Sequence, residues 1–262
     1  MIRTALSSAA LAGSDIQTVL AAAVSSGVHG IEWTGEGYLL PGDSARAQEA
    51  MYATLRAGLC TASYSMPGRA SLDNRTAFNQ ALSTARELNS PVLRLLPALR
   101  SVSPQMDAET FAATACILGD EAGEHGITLC FGIDPGSIFD SCKSAAGFLI
   151  SIDHPFVKLA WEPCAIASFD DSMEAIASVA GKVGLIVLHP DDLDSAGEAD
   201  GERAEEWLQY LDALEEQGGS PDMTRHVVFR SMPDRAERLS SAVATIKSWS
   251  VTLRRYHQRR VY

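Results

Sequence analysis

The chain has 262 residues, enough for one large α/β domain or two small ones with a sizeable buried core. Apolar residues make up 46% and charged residues 21%, which excludes extended disorder. Thirty-three acidic against 21 basic residues give a formal charge of −12, a surface that repels polyphosphate backbones and counts against a general nucleic-acid binder.

Short β-type runs alternate with amphipathic runs along the whole chain. Ile2–Leu6 reads as a strand, and Asp15–Ser26 as a helix with Ser14 at its N-cap ahead of apolar Ile16, Val19, Leu20 and Ala23. Val28–Trp33 is the second strand. Pro41-Gly42-Asp43-Ser44 then supplies a turn and a cap for a helix over Ser44–Ala57. The pattern repeats with strand Leu59–Tyr64 and helix Asn74–Leu88, then strand Val92–Leu95 and helix Ala108–His125. Strand Ile127–Gly132 with helix Ser141–Ser151, and strand Val157–Trp161 with helix Asp170–Ala180, continue it. Strand Gly184–Leu188 with helix Ala204–Gln217, and strand His226–Arg230 with helix Arg235–Trp249, complete it. Gly27, Gly58, Gly126 and Gly181 stand where helices should end, each just before a strand.

Strict strand–helix alternation implies parallel strands joined by right-handed crossovers. Eight repeats match a closed (β/α)₈ TIM barrel in number and size. An open doubly wound sheet is the competing architecture, but Ser7 to Gly13 carries no GxGxxG loop after the first strand. With no linker or break in composition, residues 1–252 are expected to form a single domain, followed by a basic tail over 253–262. That tail holds Arg254, Arg255, Arg259 and Arg260 without an acid. It reads as a solvated, fraying terminus or as a dock for an acidic surface or a second subunit, so a homo-oligomer is compatible with the sequence.

The five cysteines, Cys60, Cys116, Cys130, Cys142 and Cys164, are odd in number and contain no CxxC pair. That argues against a disulfide framework and a thiolate zinc site, and fits a reducing cytoplasm. The first fifteen residues read better as a strand and a helix start than as a signal peptide, because Ser7, Ser8, Gly13, Ser14 and Asp15 interrupt the apolar stretch. No apolar run approaches the ~18 residues needed to cross a bilayer, so no membrane partner is expected.

In a barrel of this kind the chemistry sits at the C-terminal ends of the strands. Those ends carry Glu32 and Glu36 after strand two, Tyr64 and Arg69 after strand three, and Arg94 on strand four. Asp134 follows strand five, Glu162 strand six, His189 strand seven, and Arg230 ends strand eight. Glu32 reads equally as a proton-transfer group or as a hydrogen-bond acceptor for neighbouring strand ends. Arg69 and Arg94 suit an anionic or polar ligand, although Arg94 reads equally as one half of an ion pair inside the barrel. Trp161 is expected to pack between strand and helix. His29, His125, His154, His226 and His257 are expected at the surface. The region after strand seven, Asp191 to Glu205, is acidic and lacks a phosphate cradle, which weighs against a sugar phosphate at the mouth.

The segment GIEWTGEGYLLPGD, Gly30 to Asp43, resembles the second-strand signature of the xylose-isomerase-like sugar phosphate isomerase/epimerase superfamily. In order along the chain, Ser63-Tyr64, PVLRLL around Arg94, GITL leading into strand five, LAWEP at Leu159–Pro163 and EEWLQYLDALEEQG extend the likeness to nearly the whole length. The resemblance implies a TIM barrel that binds a small carbohydrate or polyol and isomerises it by intramolecular proton or hydride transfer. It also implies a divalent cation (Mn²⁺, Mg²⁺ or Zn²⁺) at the mouth, held by a Glu ending strand five, an Asp or Gln ending strand six, a His ending strand seven and a Glu ending strand eight.

This chain departs from that pattern. Gly132, Glu162, His189 and Arg230 stand at the four positions, so one donor is missing and one has become a cation. Two arrangements follow. In the first, the Arg230 guanidinium takes the place of the metal and pairs with Glu162 and Asp134. In the second, Asp134, Glu162 and His189, with Asp191 or Asp192, form a relocated metal site, leaving Glu32 and Glu36 as acid/base candidates. The functional expectation is thus an isomerase-like barrel with Glu32 and Glu162 as catalytic groups and Glu36, Tyr64, Arg69, Arg94 and Arg230 as ligand contacts. The alternative is a catalytically degenerate barrel that binds a small polar or anionic ligand without metal. A DNA-repair endonuclease on the same barrel would need several metal-binding histidines and a basic face, which the sequence does not supply.

Overall fold

The computed structural model describes residues 1–70, 74–99, 107–163, 168–188, 201–216, 224–230 and 236–260. Eight strands run in parallel: β1 (Ile2–Ser7), β2 (Gly30–Thr34), β3 (Cys60–Ala70), β4 (Val92–Pro97), β5 (Thr128–Gly132), β6 (Val157–Trp161), β7 (Val183–Leu188) and β8 (Arg225–Phe229). Each pairs with the next, and β8 closes on β1 through Ile2↔Arg225 to Leu6↔Phe229. Eight helices alternate with them: α1 (Ile16–Ser26), α2 (Ser44–Arg56), α3 (Arg75–Glu87), α4 (Ala108–Gly123), α5 (Cys142–Ile152), α6 (Phe169–Val179), α7 (Gly201–Glu216) and α8 (Ala236–Arg260). The fold is the (β/α)₈ TIM barrel that the alternation implies.

Two shells of apolar side chains hold it. Alternate strand residues point to opposite faces. One set, including Ala5, Ala62, Val92, Cys130, Ala160, Leu185, Val187 and Val228, fills the barrel interior. The other packs against the helices. Trp161 does so as expected, with its ring 5.1 Å from Tyr210 and 5.9 Å from Trp207. Phe111, Phe139 and Phe148 meet edge to face beside it, at 5.2 to 5.6 Å around Phe111 and 4.9 Å between Phe139 and Phe148.

Local chemistry adjusts several boundaries. Asp15, not Ser14, caps α1, its carboxylate accepting the Thr18 amide at 2.7 Å. A carboxylate at this position also meets the positive end of the helix dipole. Gly27 closes α1 in the left-handed region at φ 74°, whereas Gly181 lies within a 3₁₀ turn, Ala180–Lys182, with no positive φ. β3 runs on to Ala70, well past the expected end at Tyr64. Pro67 cannot donate to a ladder, but it sits in an irregularity between Ser65↔Arg94 and Arg69↔Leu96, where no ladder bond is asked of it. α8 continues through the basic stretch to Arg260; no glycine or proline interrupts 236–260, and Arg and Gln favour helix. His226 is not on the surface: it faces the barrel interior near the N-terminal end of β8 and is 7% exposed.

Candidate functional site

The polar centre of the barrel mouth is built from three adjacent strands. Glu32 on β2 and Arg94 on β4 face inward and meet in front of β3. Arg94 Nε donates to Glu32 Oε2 at 2.9 Å, and its Nη2 donates to Oε1 at 3.1 Å. Ser63 Oγ, from the strand between them, donates to Oε2 at 2.9 Å. Glu32 is fully buried and Arg94 is 4% exposed. Of the two readings open for each, the structure realises the interior ion pair. A planar fork on a carboxylate satisfies both desolvated charges at once. Both carboxylate oxygens accept hydrogen bonds, so the Glu32 side chain is held in a fixed orientation.

A second pair stands at the rim. Arg69, on the extension of β3, donates from Nε to Asp134 Oδ2 and from Nη2 to Oδ1, the latter at 3.1 Å. Hydrogen bonding and the charge of Asp134 raise the Arg69 pKa further. Glu36 is exposed and accepts the Gly68 amide at 3.0 Å, tying the β2–α2 turn to the same extension. Tyr64 does not reach the mouth. Ser63 faces inward, so the next residue faces the helices, where the Tyr64 hydroxyl donates to Leu39 O at 2.7 Å and burial pushes its pKa well up. Its expected role as a ligand contact is corrected by strand parity.

The four positions that the resemblance assigns to a metal can now be compared with their surroundings. Gly132 ends β5 without a side chain, and a Cβ built there would lie 2.7 Å from Leu96 Cδ2, so apolar carbon occupies that corner. Glu162, half-buried, follows β6. Arg230, half-buried, follows β8, its amide donating to Leu188 O at 3.4 Å. His189, Asp191 and Asp192 lie outside the described residues. Among the described ion pairs none joins Arg230 to Glu162, and Asp134 is paired with Arg69 instead of Arg230. Among the described residues no three His, Cys, Asp or Glu side chains stand together as a metal site. A divalent cation wants several oxygen or imidazole donors in one shell, and this described set does not fit one.

One mouth residue escaped the sequence reading. Ser7 ends β1 beside Glu32 and, like Ala5, faces inward. Its Oγ is buried and has no hydrogen-bond partner among the described residues. Next to it Ser8 Oγ and Thr34 Oγ1 are 3.0 Å apart. The signal was its place as the last inward residue of the first strand; a lone serine gave no reason to choose it.

No family model and no curated protein matches the sequence. Solved structures of the same fold do. An L-ribulose 3-epimerase superposes with a TM-score of 0.73 at 17% identity, covering 100% of this chain and 99% of that one. A xylose isomerase-like TIM barrel protein from Mycobacterium smegmatis, in complex with magnesium, gives 0.69 at 14% identity, with 96% and 97% covered. The IOLI protein with a bound zinc atom gives 0.65 at 16%, again with 96% and 97% covered. The chain is thus similar along its whole length to xylose isomerase-like TIM barrel proteins, sugar epimerases among them, and at these identities the likeness is one of fold.

Proposed function

We propose that the mouth of this barrel binds a small carbohydrate or polyol, and that it does so without the four-ligand metal centre that the resemblance implies. The observation that carries this reading is the buried Glu32–Arg94–Ser63 cluster, with the unpartnered Ser7 hydroxyl beside it. The cluster contributes no net charge, so it favours neither a cation nor an anion. Its carboxylate oxygens and the Ser63 proton are spent on one another, so the Ser7 hydroxyl beside it is the group left to exchange hydrogen bonds with a polyol. Arg69 and Asp134 close the rim beside it.

A second reading, turnover, is favoured by the epimerases among the structural neighbours. Glu162, half-buried after β6, is a mouth carboxylate that belongs to neither arginine–carboxylate pair described above. It would take a proton from the carbon next to a carbonyl and return it to the same carbon on the other face or to its neighbour. The Arg230 guanidinium would face the charge that develops on oxygen. The four described free thiols, Cys60, Cys116, Cys130 and Cys142, support placing the protein in a reducing cytoplasm. No described helix is long and apolar enough to cross a membrane.

The test is a panel of ketoses, aldoses and polyols titrated into the chelator-treated protein, followed by proton NMR in D₂O. Saturable binding that survives chelation supports the reading. Solvent deuterium entering the sugar in the wild type and not in Glu162→Gln supports turnover. No binding by any member of the panel, with or without metal, contradicts both.

A further inference from the structure

The opposite end of the barrel holds a feature that the mouth does not explain. A cavity of about 450 Å³ opens between the N-terminal end of β1 and α8, lined by Arg3, Thr4, His29, Lys247 and Ser250 among others. Among the described residues no carboxylate lines it, in a protein with 33 acidic residues. Glu215 faces the α-amino group of Met1 at 3.6 Å, and its charge also acts on Arg225.

Some positive charge is needed here in any case. In this fold the helices end on this face and present partial negative charge. Lys247 answers that at α1, donating from Nζ to Gly27 O at 2.6 Å, which leaves two of its three N–H groups. Arg225 likewise spends donors on Val183 O and Leu214 O, both at 2.9 Å. Arg3 differs: its exposed guanidinium makes no hydrogen bond and no ion pair among the described residues. His29, beside them, accepts the Thr4 amide on Nδ1 at 3.2 Å. Below them, burial first and then nearby positive charge, that of Arg3 foremost, hold the His226 imidazole down to about 4. α8 then continues past the cavity to Arg260, and from Arg238 to Tyr262 the sequence has basic residues and no acid.

We propose that this cavity is a binding site for a phosphate monoester of a small organic molecule, distinct from the mouth. A guanidinium fork and an ammonium with two unspent N–H groups, around one cavity, match the oxygens of a phosphoryl dianion. The volume leaves room for an organic part, within the usual range of small-molecule pockets.

The test is calorimetric titration of the full chain with inorganic phosphate and with glycerol 3-phosphate, on the wild type, Arg3→Gln, Arg3→Gln/Lys247→Met and Arg69→Gln. Arg3 is exposed, so its replacement leaves the fold intact, as circular dichroism will check. Glycerol 3-phosphate should bind saturably, about tenfold or more weakly to Arg3→Gln and more weakly still to the double variant. Arg69→Gln, at the mouth, should bind it like the wild type, and carbohydrate binding should be unchanged in Arg3→Gln. Binding that is equal in the wild type and Arg3→Gln, that is lost only in Arg69→Gln, or that fails to saturate at millimolar ester would overturn the site. Binding of free phosphate with exclusion of the ester would overturn the monoester assignment.

Discussion

At the mouth of the barrel, arginine and carboxylate come in pairs: Arg94 with Glu32 in the interior, Arg69 with Asp134 at the rim. At the N-terminal end the Met1 α-amino group faces Glu215, whereas Arg3 stands at the cavity without a carboxylate partner among the described residues. The same sheet thus presents a charge-balanced, hydroxyl-bearing end and a cationic end, within a chain of net charge −12. Burial explains the difference. A charge sealed inside the barrel must be matched at once, whereas a charge at an open cavity can wait for a ligand or for water.

The largest expected effect breaks the buried pair. Arg94→Met leaves Glu32 buried and uncompensated and should cost about 3–5 kcal/mol in urea unfolding. Glu32→Gln/Arg94→Met should recover much of the loss, because it removes both charges together. A cost under about 1 kcal/mol for Arg94→Met, the level of an exposed pair, would mean that the ion pair does not organise the mouth.

Next comes the cationic end, through pH. His226 has a folded-state pKa of about 4 against 6.5 for the free side chain. Between those values the unfolded chain binds the proton and the folded one does not, so stability rises with pH across that window and is lost as pH falls through it. The amplitude should be on the order of 3 kcal/mol, and His226→Asn should flatten the curve between pH 4 and 6.5. A profile as steep in the variant as in the wild type would sink this assignment.

Smaller and of opposite sign is Ser7→Ala. It removes a buried hydroxyl that has no described partner, so the ligand-free protein should gain up to about 1 kcal/mol while carbohydrate affinity falls. A loss of stability would mean that Ser7 serves the fold. The smallest effect belongs to Asp134→Asn. Its partner Arg69 is 46% exposed, so the unfolding midpoint in urea should hardly move.

Much of the barrel could be read from the chain because its signals are local. Gly27 and Asp43 mark a helix end and a helix start within a few residues of themselves, and the inward set from Ala5 to Val228 follows from strand parity. What stayed hidden depends on contacts between distant strands. Glu32 and Arg94 are 62 residues apart and meet only because β2, β3 and β4 are adjacent and inward parity selects both. Arg69 and Asp134 meet because β3 runs on past Tyr64, its expected end, and past Pro67. Tyr64 faces the helices because one step of parity decides which face a side chain takes, and His226, at a helix–strand joint, is covered because β8 carries it inward with Val228.

The central claim is that the mouth recognises a hydroxyl-rich ligand without a resident divalent metal. It is tested most directly by calorimetric titration of ketoses and polyols into the chelator-treated chain, with metal content measured on the same sample and Mn²⁺, Mg²⁺ or Zn²⁺ then added back. The account predicts saturable binding of at least one sugar at negligible metal content, unchanged on adding metal and weakened in Ser7→Ala. A near-stoichiometric metal that disappears in Glu162→Ala, with sugar binding only while it is present, would contradict it.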